Sequence, residues 1–359
     1  MFTLKEIAES LSMPFEGDGT ILISAPSAPK NANKDHLALA MNDKFLSDLE
    51  KGHALTALLK SGTNWRDLGL KGAIFVERPR YAVAQITSLF KENNVEWIGV
   101  HGSAIITKDA KIEKNVSIGP YSVISSSVQI KRQSIIGSHV FIDKGAVIGE
   151  GALIHSGVKI GPGVVIGDRF ICHPNAVIGA DGFSFVSPDG GGVEQARKAG
   201  SLTNVGRIRH YVRIASLGSV HVGDDVEIGA GTVIDRGTIE NTEVGNGTKI
   251  DNMVHLGHNV SIGENCLLCG QVGIAGSAKI GDRVVLGGQV GIADHVSVGC
   301  DSIVAGKSGV SSNVPEGRFM MGNPAMKIEH NIESYKLFRR LPRMVKKIKL
   351  LEQFVLKNK

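Results

Sequence analysis

Between residues 106 and 166 every sixth residue is an isoleucine, from Ile106, Ile112 and Ile118 through to Ile160 and Ile166. A repeat of six matches neither the helical turn nor the two-residue alternation of an ordinary strand. It describes a chain that returns to one environment at the end of each short straight side, which is a solenoid. The register continues through Cys172 to Ile178, resumes at Val222, Ile228 and Ile234, and then runs from Val244 to Val310. Of these 28 positions only Cys172 is not a branched aliphatic residue. Glycine often follows the aliphatic residue, as at Gly119, Gly137, Gly149 and Gly229, and the position two residues before it is usually small or valine. Each hexad therefore reads as a short strand plus a tight corner, with glycine giving backbone freedom at the bend. The aliphatic side chain points inward, and small neighbours let coils stack at the strand spacing of about 4.8 Å. Three hexads closing a triangle give 18 residues per coil and roughly nine coils.

The hexads divide the chain of 359 residues into three parts. Residues 1–100 lack them and read as a small α/β domain. Helical patterns there fall near Leu4–Leu11, Asp43–Leu49 and Tyr81–Phe90, and apolar strand candidates near Ile21–Ser24, Leu55–Leu59 and Ala73–Val76. The solenoid occupies 101–314, interrupted at about 187–213, and 315–359 reads as basic C-terminal helices. The N-terminus carries acidic residues and no long apolar run, and no stretch of about 18 apolar residues occurs, so the expectation is a cytoplasmic protein without a membrane span. Cys266 and Cys269 form a lone C-x-x-C without a second pair, so small-residue packing is expected there and no metal site.

The net charge of +5 conceals an asymmetry, because Lys327–Lys359 alone carries +7. Such a tail attracts an acidic partner. Leu337, Leu341, Met344, Ile348, Leu351 and Val355 also stand at roughly helical spacing, which gives an apolar stripe for self-association. No aromatic residues interleave the charges in a stacking pattern, so nucleic acid is not the expected partner.

A β-helix is a rigid post, so its chemistry must project outward at related coil phases. His258 lies two residues after the inward Leu256, where a side chain leaves the coil. One coil on stands Gly276, and two coils on stands Asp294 with His295 beside it. An imidazole, a bare backbone amide and a second imidazole along one edge compose a general base beside an oxyanion site.

The closed three-hexad coil resembles the hexapeptide-repeat, left-handed parallel β-helix acyltransferases. Four stretches narrow the resemblance: Gly179-Ala180-Asp181-Gly182-Phe183, Thr232-Val233-Ile234-Asp235-Arg236-Gly237-Thr238, Ile250-Asp251-Asn252 and Gly257-His258-Asn259-Val260-Ser261-Ile262-Gly263. Together they resemble the UDP-3-O-acylglucosamine N-acyltransferase family of lipid A (lipopolysaccharide) biosynthesis over nearly the whole chain. The resemblance implies a mainly β fold with a small N-terminal α/β domain and a C-terminal helical tail. It implies a homotrimer with sites in the clefts between subunits. It implies transfer of a 3-hydroxyacyl chain from the 4'-phosphopantetheine thioester of acyl carrier protein, with no bound cofactor. His258 would be the base, Gly276 the oxyanion-hole amide, Asp251 the carboxylate supporting the imidazole, and His295 a second active-site histidine, toward the nucleotide phosphates or the substrate.

The family's nucleotide segment falls on 37–45, where Leu39 replaces the usual aromatic, Phe45 replaces the usual tyrosine, and Asn42 matches and would read the uracil edge. A core phenylalanine and a turn asparagine remain the plain reading of these two. His255 stands where some members carry glutamine. The excursion at 187–213, with Arg197, Lys198, Arg207, Arg209 and Arg213, either covers an acyl groove, contacts the carrier protein, or is a solvated loop. The competing functions are another β-helix sugar-nucleotide acyltransferase, which lacks the separate N-terminal domain, and a non-catalytic trimeric scaffold.

Overall fold

The computed structural model describes residues 1–91, 97–188, 210–322 and 325–357. The chain divides into two compact units, Met1–Asn94 and Val95–Lys359. In the first, four parallel strands (Ala25–Ser27, His36–Ala40, Thr56–Lys60 and Gly72–Val76) lie side by side in chain order, and Phe15–Gly17 joins antiparallel at the outer edge of Gly72–Val76. The helices are Leu4–Ser10, Asp43–Ser47 and Pro79–Leu89. Leu37, Leu58 and Ile74 pack with Leu4, Ile7 and Ile86 on one side of the sheet, while Ala38, Ala57, Leu59 and Ala73 pack with Trp65 and Leu70 on the other. Thr3 and Glu6 form a reciprocal capping box that starts the first helix. The central strand His36–Ala40 is absent from the strand candidates read off the sequence. It has no β-branched residue, so its propensity is weak, and burial on both faces holds it in the sheet.

The second unit is a parallel β-helix whose three faces contain ten, nine and ten strands. The first face runs from Ile105–Ile106 to Gly309–Val310, the second from Lys111–Ile112 to Ser297–Val298, and the third from Ser117–Ile118 to Phe319–Met320. Ile118 pairs with Ile136 and Ile136 with Ile154, so each regular coil is one 18-residue step, as the hexads predict. From Ile118 onward the hexad residues are buried in one continuous core. Cys172, the exception, is buried beside a second exception, Phe170, where most hexads have a small residue. The large ring two positions earlier fills the volume that a branched aliphatic residue fills elsewhere.

The glycines after the aliphatic residues have a different cause from the one expected. Gly179 apart, their φ values are not in the left-handed region, which is used three residues beyond the aliphatic position, by Asn115, Asn175, Asn259 and Gly151 among others. A Cβ on Gly137 would instead stand 2.6 Å from the Ser156 nitrogen, and one on Gly257 would stand 2.8 Å from the Gly276 nitrogen. Close coil stacking, and not backbone freedom, excludes a side chain there. Buried hydroxyls tie successive coils together: Ser134 Oγ donates to the Gly149 carbonyl at 2.9 Å and accepts the Ala152 N–H at 3.2 Å.

Two irregularities set the site. First, Ile166 pairs with Val222 and Ile178 with Ile234, so the solenoid closes across the excursion in register as far as Ile178, beyond which the pairing shifts and sets Ala180 opposite Asp235. At the base of the excursion, Phe185–Val186 and Val212–Arg213 form an antiparallel ribbon, while Arg197, Lys198, Arg207 and Arg209 lie outside the described residues. Second, the next coil is longer by four residues, with partners 22 apart, and the extra length forms a loop at 236–241. The C-terminal segment is one helix, Ile328–Lys357, which continues through Pro342 and buries no side chain. No described helix is long and apolar enough to cross a membrane.

Candidate active site

Stacking brings His258, Gly276 and His295 to one edge, at the corner between the first and second faces. Ser277 N–H donates to the His258 carbonyl at 2.9 Å, and His295 N–H donates to the Gly276 carbonyl at 3.1 Å, so the three residues lie on consecutive coils. The half-buried His258 ring lies against Gly276, where a Cβ would stand 2.8 Å from both Cε1 and Nε2. From two coils back Gly182 reaches the same residue, and a Cβ there would stand 2.8 Å from His258 Cβ. The imidazole therefore has glycine backbone against it on both sides.

Asn259 fixes the tautomer. Its Oδ1 stands 3.0 Å from His258 Nδ1, with Thr238 Oγ1 at 3.5 Å. Asn259 is held in turn: Nδ2 donates to the Glu240 carbonyl at 3.0 Å, Oδ1 accepts the Thr238 N–H at 3.1 Å, and its own N–H donates to Thr242 Oγ1 at 2.9 Å. The amide orientation is set because Nδ2 must donate and Oδ1 must accept, so Nδ1 carries the proton and Nε2 is the basic nitrogen. The four extra residues of the long coil supply Thr238 and Glu240 for this clamp.

A buried carboxylate lies close by. Asp235, 4% exposed, places Oδ2 3.6 Å from His255 Nε2 and accepts the Phe183 N–H. Burial raises its pKa, and the charges of His255 and His258 oppose that rise.

Asp251 is not beside His258 in the chain. It begins the corner between the third and first faces, one side before the corner of His258, and its Oδ1 accepts the Asn252 N–H at 2.7 Å. There it lines a cleft of about 470 Å³ with His173, Glu227, Lys249 and Cys269. The seven-residue spacing that suggested a partner for His258 spans a whole face, so the two side chains leave the post at different edges. Cys266 points into the core with a thiol pKa raised by burial, as the packing reading expects. No group of three metal-ligating side chains occurs among the described residues.

In the first unit Leu39 is half-buried against the core cluster of Leu37 and Leu58. Asn42 caps the helix Asp43–Ser47, its Oδ1 accepting the Phe45 N–H at 3.0 Å, and Phe45 is 38% exposed. The plain reading thus accounts for the Asn42 carbonyl oxygen, and the Phe45 ring is the one left open to a ligand.

Asp235, Thr238, Asn259 and Gly182 were not among the site residues read from the sequence. Asn259 adjoins His258 and was the most accessible to inference. The others come together only through the long coil and the turn after Ala180.

Residues 109–144 and 241–276 match the bacterial transferase hexapeptide (six repeats) family model. A UDP-3-O-acylglucosamine N-acyltransferase from Ruegeria pomeroyi is 50% identical over 99% of this chain and 98% of its own length. One from Geobacter sp. (strain M21) is 47% identical over 98% of this chain and 96% of its own. Among solved structures, an Arabidopsis UDP-N-acetylglucosamine acyltransferase superposes with a TM-score of 0.51 at 20% identity, covering 62% of this chain and 70% of that one, a likeness of fold.

Proposed function

Because the chain belongs to the UDP-3-O-acylglucosamine N-acyltransferase family, we propose that it moves a 3-hydroxyacyl chain from acyl carrier protein to the 2-amine of UDP-3-O-acylglucosamine, a step of lipid A biosynthesis. One observation carries the assignment of the base: Asn259 occupies Nδ1 of His258, which leaves Nε2 basic and adjacent to Gly276. The amine nitrogen attacks the thioester carbonyl and its proton passes to Nε2. The Gly276 amide donates to the oxyanion that develops on the carbonyl oxygen. When the C–S bond breaks, the departing pantetheine sulfur takes the proton back from His258, and the base is regenerated. Aligned donors of this kind contribute about 2.7–4 kcal/mol.

His295, exposed at the same edge, would meet the nucleotide phosphates, and Phe45 with the Asn42 amide would hold the uridine. The chain would act as a homotrimer. Ile135, Leu153 and Ile171, and beyond Glu227 and Lys249 also Leu267, Val285 and Ile303, take the outward positions of the third face, two apolar runs suited to burial between copies. In such a trimer Asp251 and its cleft would belong to the site of a neighbouring copy, and not to His258 of its own. The exposed basic helix Ile328–Lys357 would attract the acidic carrier protein.

The test is acyl transfer from 3-hydroxyacyl carrier proteins to UDP-3-O-acylglucosamine, followed by mass spectrometry, with His258→Ala beside the wild type. An N-acylated product lost in the variant is the expected result. No product from a folded wild-type trimer with any donor would sink the reading in favour of another acceptor or a scaffold.

A further inference from the structure

Within its own chain, the imidazolium that His258 becomes during transfer has no carboxylate on Nδ1, since Asn259 is neutral and Asp251 lies at another edge. The nearby negative charge in the same chain is Asp235. Its strand, Val233–Asp235, pairs with His255–Leu256 one coil ahead, and on the coil behind a register shift sets Ala180 opposite Asp235. The shift turns the chain so that the Phe183 N–H reaches the carboxylate and Gly182 covers His258. The ionisable groups facing Asp235 are His255, with Nε2 at 3.6 Å, His258, and the exposed Asp181.

We propose that Asp235 is a positioning residue of the transfer reaction: buried beside His255 and His258, it forms an ion pair with His255 and stabilises the positive charge that His258 acquires when it takes the proton of the amine. This rests on the reading of His258 as the base. An isolated buried carboxylate is destabilising and is ordinarily replaced or paired. Here the pairing is through an imidazole that is 53% exposed, so the partner's charge remains open to solvent and substrate. His255 thereby gains a role of its own: it tunes how much negative charge Asp235 presents to the base. The arrangement differs from a triad, in which the carboxylate bonds the base directly. Here the amide of Asn259 orients the base and a separate carboxylate supplies the field.

The test uses full-length protein and the variants Asp235→Asn, His255→Gln and the double variant. In Asp235→Asn, kcat should fall about tenfold, with KM for the sugar nucleotide little changed, and the acid limb of the kcat profile should move about 1 pH unit lower, because a nearby anion no longer favours the protonated base. Adding His255→Gln should then leave the profile unmoved, since His255 acts through Asp235. An acid limb of Asp235→Asn that coincides with wild type would overturn the proposal and leave Asp235 a structural residue. A second readout does not depend on turnover: by carbon NMR of the free protein, the Asp235 carboxyl should titrate above the ordinary range, and higher still in His255→Gln. A titration indifferent to His255 would dissolve the pair. Absence of acyl transfer by wild type would instead overturn the function on which the proposal rests, while the carboxyl titration still decides the pair.

Discussion

Gly276→Ala isolates the reacting edge, because the added methyl meets a side chain and not the backbone of a coil. The new Cβ would stand 2.8 Å from Cε1 and Nε2 of His258, whereas nonbonded carbon contacts settle at about 3.5–4.0 Å. The imidazole must therefore retreat by about 1 Å, and Gly182 on its other side resists that movement. Alanine fits the backbone itself, since φ at Gly276 is not left-handed. A displacement of about 1 Å at a reacting group lowers the rate about 10²-fold, and disturbance of an oxyanion donor lowers it by about 10²–10³. We expect kcat to drop by about 10²–10³, or about 2.7–4 kcal/mol in the barrier, with little change in melting temperature. The contrast is Gly137→Ala, whose Cβ would meet the backbone of Ser156 and His155 at 2.6 and 2.7 Å. There the coils must part, so overpacking costs about 1–3 kcal/mol of stability and kcat is retained. Steady-state acyl transfer and thermal melts on both variants separate the two outcomes. A Gly276→Ala enzyme within about threefold of wild-type kcat would refute the placement of the reaction at this edge.

Three further expectations follow from packing and charge. Cys172→Ile should destabilise by about 1–3 kcal/mol through crowding against Phe170, and Phe170→Val in the same chain should recover much of that loss in a denaturant titration; equal midpoints for the single and double variants would contradict the compensation. Ser134→Ala strands the Gly149 carbonyl and the Ala152 N–H in the core and should cost about 1–3 kcal/mol, read as a lower denaturation midpoint. Burial raises the Asp235 pKa against the opposing charges of His255 and His258, so the folded state binds this proton more readily than the unfolded one. The carboxyl thus withdraws stability above its folded pKa and restores it as pH falls through that value. Asp235→Asn should accordingly melt no lower than wild type near pH 8, with any advantage vanishing toward the ordinary carboxylate range; a variant destabilised most at alkaline pH would contradict this.

The repeat was fully legible because its cause is local. One residue in six must face the axis of a triangular coil, so Ile106 to Val310 display the architecture, the coil length and the breaks at 179–221 and 235–243 without reference to any contact. The edge shared by His258, Gly276 and His295 followed from the same arithmetic, since those residues are separated by regular coils. Asp251 and His258 leave the post of one chain at different edges, because seven residues span a whole face, and spacing along the chain does not tell which copy's imidazole a carboxylate meets. The strand His36–Ala40 escaped notice because its alanines and leucines carry little intrinsic preference and are held by neighbouring strands. Asp235 and Asn259 became site residues only through the irregular parts. The length of the 22-residue coil, the loop at 236–241 and the turn through Gly182 decide which backbone donors and carbonyls surround them. The sequence by itself determined the post and the order of groups along it, because a period constrains every coil alike. Tertiary structure decided which carboxylate faces the imidazoles and which nitrogen is basic, because those depend on single departures from the period, whose geometry no repeat encodes.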